Sequence, residues 1–256
     1  MEFQNEIGLI QRKMAASVAG SSRRLEILDV LDIQSGQQVL DIGCGGGHLL
    51  EELAKAVGPK GKAIGLDTSE DQLKQAKKKC ALYNNTSTLL GFANKINLER
   101  NSCDAVASAQ TFEYIEDVDD SIEEVARILK PSSIFVNISI LWDYYKFYGA
   151  EDNLNNLIQD TFKAHCFHQM LPTTLSGRLK KFGFKQLKHK PLPVFITTTD
   201  DNSPAKYAAE VMAQFAIQKG VSIDKVKQWQ NQLKLAEDQG RFAYTNIPIL
   251  TYGYLS

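Results

Sequence analysis

Asp41 stands two residues ahead of Gly43, and Gly45 and Gly47 follow at alternate positions in the stretch "DIGCGGGH", residues 41–48. Glycines so spaced allow a tight bend and let a ligand lie against bare backbone, where a Cβ would hold it away. A dinucleotide fingerprint beginning at Gly43 requires glycine or alanine at position 48, where the chain has His48, and a triphosphate loop requires a lysine after its glycines, which is missing. An acid directly before the bend repels a pyrophosphate and suits a cationic ammonium or sulfonium centre. Asp67, at the end of the next apolar run "KAIGLD", is placed for a carboxylate to accept both ribose hydroxyls. The pair selects a nucleoside without phosphates.

These residues need strand ends to hold them. "QVLDI" reads as a strand, and "HLLEELAKAV" follows as a helix with Leu49, Leu50, Leu53, Ala54 and Val57 inward and Gly58 as its stop. "KAIGLD" is the second strand, and Ser69 with Gln72 has capping-box spacing ahead of a helix. "TSTLLGF", "CDAVASA" and "SSIFVNISI" are the third to fifth strands, with a helix at "DSIEEVARILKP" stopped by Pro131. Alternating strands and helices predict a parallel sheet. Residues 1–36 read as a separate N-terminal helical cover of two helices parted at "AGSS", with Ile7, Ile10 and Met14 on one stripe and Leu25, Leu28 and Leu31 on another. The alternation breaks at about 142–172, resumes with a helix at "TTLSGRLKKFG" and a sixth strand at "FKQLKHKPL", and is interrupted again by two helices over 203–239, each closed by glycine. "RFAYTNIPILTYGYL" is the last strand, with a bulge expected at Pro248.

Composition narrows the partners. With 256 residues, 43% of them hydrophobic, the chain buries a core of its own, and 29 basic against 30 acidic residues give a net charge of −1. That balance argues against a nucleic-acid partner. No apolar run approaches the roughly 20 residues of a membrane helix, and the N-terminus lacks a signal-peptide pattern. Cys44, Cys80, Cys103 and Cys166 form no CxxC pair, so a reducing, cytoplasmic compartment is expected. The oligomeric state, monomer or homodimer, stays open.

The ligand that joins a nucleoside to a cationic amino-acid end is S-adenosylmethionine. With "VLDIGCGGGHLLEEL", "AIGLDTSEDQLKQAKK" and "CDAVASAQTFEYIEDVDDSIEEVARILKPSSIFV", residues 37–140 resemble the class I S-adenosylmethionine-dependent methyltransferases. The resemblance implies a Rossmann-like three-layer α/β sandwich, its mostly parallel seven-stranded sheet ordered 3-2-1-4-5-7-6 with the last strand antiparallel, spanning 37–256 with helical insertions after strand 5 and before strand 7. It implies that Asp41, Gly43, Cys44, Gly45 and Gly47 hold the methionine end of the cofactor, Asp67 and Thr68 the ribose, and Gln110 the amino-acid part. Relatives often read GDA after the third strand; here "GFA" puts Phe92 where the acid would accept from adenine, so the backbone at Phe92 and Ala93, or the ring itself, would read the base.

Tyr114 stands where many relatives have histidine and could position the acceptor or fill a wall. Glu113 and Glu116 read as solvated carboxylates, Cys44 as a small residue tolerated beside the cofactor, and His48 as a helix start. The aromatic run from Trp142 to Tyr148, read as a helix over the cleft, offers Trp142, Tyr145 and Tyr148 to a substrate, and His168 joins them. "HCFH" (His165, Cys166, His168) lacks further ligands at metal spacing, so no metal is expected. Methyl transfer to a small, partly apolar molecule is the leading expectation. The alternatives are an RNA or protein methyltransferase, a catalytically silent cofactor-binding module, and a nicotinamide oxidoreductase.

Overall fold

Two helices, α1 (Asn5–Ala16) and α2 (Val18–Leu31), lead the chain in the computed structural model, which describes residues 5–200 and 202–256. The break between them is at Ser17, whose extended backbone ends one helix while its side chain caps the next by accepting from the Gly20 N–H. "AGSS" lies inside α2, correcting the expected boundary. The core face of α2 also differs from the expected stripe: Ile27 and Leu31 are buried, whereas Leu25 is 65% exposed. Positions three apart drift backward around a 3.6-residue helix, so Leu25 rotates off the face that Leu31 defines. Arg23 and Arg24, four and three residues before Ile27, share that inward face and are buried with it. The side chain of Ile7 lies outside the described residues.

The sheet then builds as anticipated, except that the helix expected to stop at Pro131 ends at Ile128 and Pro131 lies inside the fifth strand, which begins at Leu129. Strands β1 (Gln38–Ile42), β2 (Lys62–Asp67), β3 (Thr86–Leu90), β4 (Cys103–Ala109) and β5 (Leu129–Ile140) are parallel, linked by α3 (His48–Val57), α4 (Glu70–Lys79) and α5 (Val118–Ile128). Farther along come β6 (Lys146–Tyr148), α6 (Asp152–Phe162), α7 (Leu171–Lys181), β7 (Phe184–Pro191), β8 (Val194–Ile196), α8 (Pro204–Gln218), α9 (Ile223–Asp238), β9 (Ala243–Asn246) and β10 (Pro248–Leu255). The seven-stranded sheet runs β3-β2-β1-β4-β5-β10-β7, with β10 antiparallel to both neighbours. Because β7 and β10 are the sixth and seventh strands of this sheet, the order is the expected 3-2-1-4-5-7-6. Alternation along the strands splits the core between two faces. Leu40, Ile42, Ile64 and Leu66 pack with α5 and α7, while Val39, Ala63 and Ala105 pack with α2, α3 and Ala76 of α4.

A second, three-stranded sheet, β6-β9-β8, was not expected. Trp142–Tyr148 is a 3-10 turn followed by β6 and not a helix. The alternation Tyr145 in, Lys146 out, Phe147 in, Tyr148 out is the period of a strand. Likewise "RFAYTNIPILTYGYL" is two strands, because Pro248 begins β10 just where the chain leaves β9; the irregular register falls near Tyr252 and Tyr254 instead. The small sheet, α6, α8 and α9 enclose their own core around Phe147, Trp229, Tyr244 and Met212. The Trp229 indole donates to Asn155 Oδ1 at 2.9 Å, and Asn155 Nδ2 donates to the Phe147 carbonyl at 2.7 Å, tying α9, α6 and β6 together. This cap sits beyond the carboxyl end of β5 and the amino end of β10. Among the described residues no helix is long and apolar enough to cross a membrane.

Candidate functional site

The loop between β1 and α3 is pinned from behind. Gly43 and Cys44 donate their N–H groups to the Leu66 carbonyl at 2.7 and 3.0 Å, which ties the bend to the end of β2. Its glycines serve different ends. Gly45 has φ +50 with open space where a Cβ would project, so its bare backbone faces the cleft. Gly47, at φ +83, would drive a Cβ to 2.8 Å from the Ala76 backbone, so it serves the approach of α3 to α4 and does not line the cleft.

Asp41 lies at the base of this bend, 1% exposed, with Oδ2 buried and without a hydrogen-bond partner. Burial raises its carboxyl pKa from 3.8 to about 8, the charge of Asp67 adds to the rise, and Arg24 opposes it. Leaving such an atom unpaired costs about 1–3 kcal/mol, which a donor or cationic group bound in the cleft would offset. Asp67 is better provided: Gly45 N–H donates to Oδ2 and Ser69 N–H to Oδ1, both at 2.9 Å. Burial raises its pKa and these backbone bonds restrain the rise. Ser69 caps α4 by accepting from Gln72 N–H, but the Gln72 amide reaches Gln11 and Arg12 of α1 instead of closing a capping box.

The cleft measures about 1180 Å³ counted out to its open mouth, and its walls join three parts of the chain. The bend supplies Asp41, Gly43, Cys44, Gly45 and His48; the end of β4 supplies Gln110 and Tyr114; Trp142, Tyr145 and Asn246 come from the cap side. Helices α1 and α2 close the remaining side with Met14, Arg23 and Arg24. Gln110 holds φ +55, unusual outside glycine, with its N–H on the Ile138 carbonyl and its side-chain oxygen taken by Arg23 Nη1 at 2.6 Å. Burial, with Asp41 second, raises the Cys44 thiol well above its ordinary range, so it is no ready nucleophile. Burial lowers His48 to about 4 and raises the Tyr145 phenol to about 12.

Other expected residues lie elsewhere. Phe92, 67% exposed, borders a shallow groove with Thr68 beside the ends of β2 and β3; Ala93 is buried behind it in the core. Tyr148 is 48% exposed on the small sheet, paired with Ala243, outside the cleft wall. His168 also lies outside, its Nε2 at 3.0 Å from the Glu116 carbonyl. Glu113 is not solvated: it is fully buried, its oxygens have no partner in hydrogen-bonding geometry, and burial raises its pKa to about 7. The 3-10 turn Phe112–Tyr114 folds Glu113 under Ser139 and Ile140, which a solvated helix lead would not do. His165 is a buried ring stacked on Phe162, its Nδ1 at 2.6 Å from that residue's carbonyl. Arg23, Asn246 and the buried Tyr244 behind Tyr145 were missed. The two adjacent arginines on the apolar face of α2 were the available signal.

A parallel sheet whose ligand cleft opens at the carboxyl ends of β1 and β4, where the strand order reverses, defines a Rossmann-like nucleoside-binding fold. A profile of methyltransferase domains matches residues 33–240, and the chain belongs to that family, the class I S-adenosylmethionine-dependent methyltransferases. Over 113 residues, 44% of this chain, it is 33% identical to a demethylmenaquinone methyltransferase of Staphylococcus aureus, covering 47% of that protein. It thus spans less than half the length of the curated relatives it matches. In fold it is similar to YcgJ of Bacillus subtilis, with 18% identity, a TM-score of 0.62, and 91% and 97% of the two chains covered. The phosphoethanolamine N-methyltransferase 2 of Haemonchus contortus, solved with S-adenosylmethionine, aligns with a TM-score of 0.59 and 18% identity over 92% of this chain and 53% of its own.

Proposed function

We propose that this protein transfers a methyl group from S-adenosylmethionine to a small, partly apolar molecule held in the cleft. One observation carries the reading: a buried, unpartnered carboxylate at Asp41 beneath a side-chain-free bend, with a second carboxylate at the neighbouring strand end. These residues fit the cofactor. Asp41 would take its ammonium, Gly43 to Gly45 its methionine chain, Asp67 and Thr68 the ribose, Phe92 and Ala93 the adenine edge, and Gln110 the amino-acid part. When bound, S-adenosylmethionine supplies a methyl carbon already activated by its sulfonium.

The chain's own task is then to hold the acceptor in line and exclude water. Trp142 and Tyr145 lie with ring centroids 4.8 Å apart, and with Tyr114 and Met14 they make the acceptor side apolar and shielded. Tyr114, its phenol pKa raised well above 10 by burial, stays protonated and positions the acceptor as a hydrogen-bond donor. Helices α1 and α8 over this wall support a small acceptor over a macromolecule, and the demethylmenaquinone methyltransferase relative supports an apolar one. Four free cysteines accord with a reducing cytosol.

Calorimetric titration should show S-adenosylmethionine binding and no NADH binding, and labelled cofactor should pass its methyl group to a component of a metabolite extract. Binding of NADH alone would overturn the reading. Label that never leaves the cofactor would reduce it to a silent module.

A further inference from the structure

Arg23 and Arg24 are neighbours in sequence and both line the cleft, yet their surroundings differ. Arg24 is fully engaged: Nε donates to Glu52 at 2.9 Å, Nη2 to Ser21 at 3.0 Å, and Nη1 to the Ala15 carbonyl. Its charge is felt by Asp41 and His48, so it faces the bend where the cofactor's amino-acid end would lie. Arg23, 8% exposed, makes one hydrogen bond, to the neutral Gln110 amide, and its buried Nε has no partner. Tyr244, Tyr145 and Glu113 are the groups that feel its charge, which places it on the acceptor side. Glu113 forms no ion pair with it and is itself pushed toward the neutral acid.

A guanidinium stays charged in proteins, and one buried without a counter-ion is costly. In the lining of the same cleft, the Trp142 indole N–H is another buried donor without an acceptor, and Asn246 Oδ1 is buried without a donor. Two unmet donors, one of them cationic, beside an apolar surface of Trp142, Tyr145 and Val211 describe a recognition site for an anionic oxygen group on an otherwise apolar molecule. We infer that Arg23 is a specificity-determining residue that receives a carboxylate of the methyl acceptor, so that the substrates are small carboxylic acids with an apolar or aromatic body. This deepens the functional reading above and rests on it.

The test uses the full chain with benzoate, phenylacetate and 3-phenylpropionate, each against its own amide, by calorimetry with and without saturating S-adenosylhomocysteine. At least one acid should bind tenfold or more tightly than its amide. Arg23→Gln should abolish that preference while leaving S-adenosylhomocysteine affinity within about threefold, and Arg23→Lys should restore part of it. Equal binding of every acid and amide, or no binding of any acid by the wild type, would overturn the inference without recourse to a variant. So would an Arg23→Gln protein that keeps the acid preference but loses S-adenosylhomocysteine, since Arg23 would then serve the cofactor. Failure of the wild type to bind S-adenosylmethionine would sink the functional reading and with it the acceptor role of Arg23, a result told apart from failure of the inference alone because the acid preference is also measured without cofactor.

Discussion

The sheet around β1 to β5 and the cap formed by β6, β8, β9, α6, α8 and α9 bury apolar residues to different effect. In the sheet, most buried side chains are aliphatic, sorted by strand alternation onto two faces, with Phe112, Phe135 and Phe184 as one small ring cluster and Asp41 near the end of its strand. In the cap, rings meet rings: Tyr145 lies edge-on to Tyr244 at 5.1 Å, and Phe147 meets Trp229 at 5.4 Å, with the Asn155 network threaded between. Strand-end geometry is shared by a whole fold family, so it reports the cofactor. The rings of the cap supply Trp142 and Tyr145 to the wall proposed for the acceptor.

The largest expected effect tests that division from the cap side. Trp229→Ala should cost about 3–5 kcal/mol of unfolding free energy, seen as a lower midpoint in urea, because it opens a large cavity and orphans Asn155 Oδ1. Acceptor turnover should fall far more than cofactor affinity; equal losses would merge the two regions.

From the sheet side, Asp41→Ala should weaken S-adenosylmethionine by about 3 kcal/mol, more than a hundredfold by calorimetry. The wild type should also show a pH signature. Between the ordinary carboxylate pKa of 3.8 and about 8, native Asp41 keeps a proton that the unfolded chain has released. Stability of the unliganded protein should therefore be greatest at the acid end of this window and fall toward pH 8, by at most about 1.4 kcal/mol per pH unit from this group. Glu113, raised to about 7, adds a slope of the same sign. Affinity for the cationic cofactor should run the other way, rising with pH up to about 8. Urea titrations at pH 5, 6, 7 and 8 should show Asp41→Asn with a flatter profile than the wild type.

Asp67→Ala should weaken cofactor binding by about 1–3 kcal/mol, since its carboxylate also holds the Gly45 amide. The smallest effect is expected at Tyr114→Phe: a fall in turnover of about five- to tenfold with cofactor affinity unchanged. An unaltered rate would leave the ring as wall alone.

The same contrast decides what could be read from the chain. Leu49 to Val57 declare a helix face and Gly58 its end because local periodicity and tertiary burial agree there, and all five inward residues are buried as read. Asp41 and Asp67 were legible because a bend and a strand end fix them locally. Tyr145 to Tyr148 carried the two-residue period of a strand, but a short aromatic run is ambiguous without its partner β9, nearly a hundred residues away. Glu113 was misread for a similar reason: its burial is imposed by β5 behind it, and nothing in "TFEYIED" announces that. Arg23 sits on an apolar face that a strict leucine stripe concealed.

Each strand of the small sheet continues a strand of the large one with little chain between. β9 passes into β10 through Ile247 alone, β7 into β8 through Leu192 and Pro193, and β5 into β6 through Leu141 to Tyr145. With both ends of every tether fixed in a ladder, the cap is bolted to the large sheet at three short joints. For the methyl transfer proposed above, passage of substrate and product would fall to the opposite rim, where Arg12 of α1 is paired with the partly exposed Asp71.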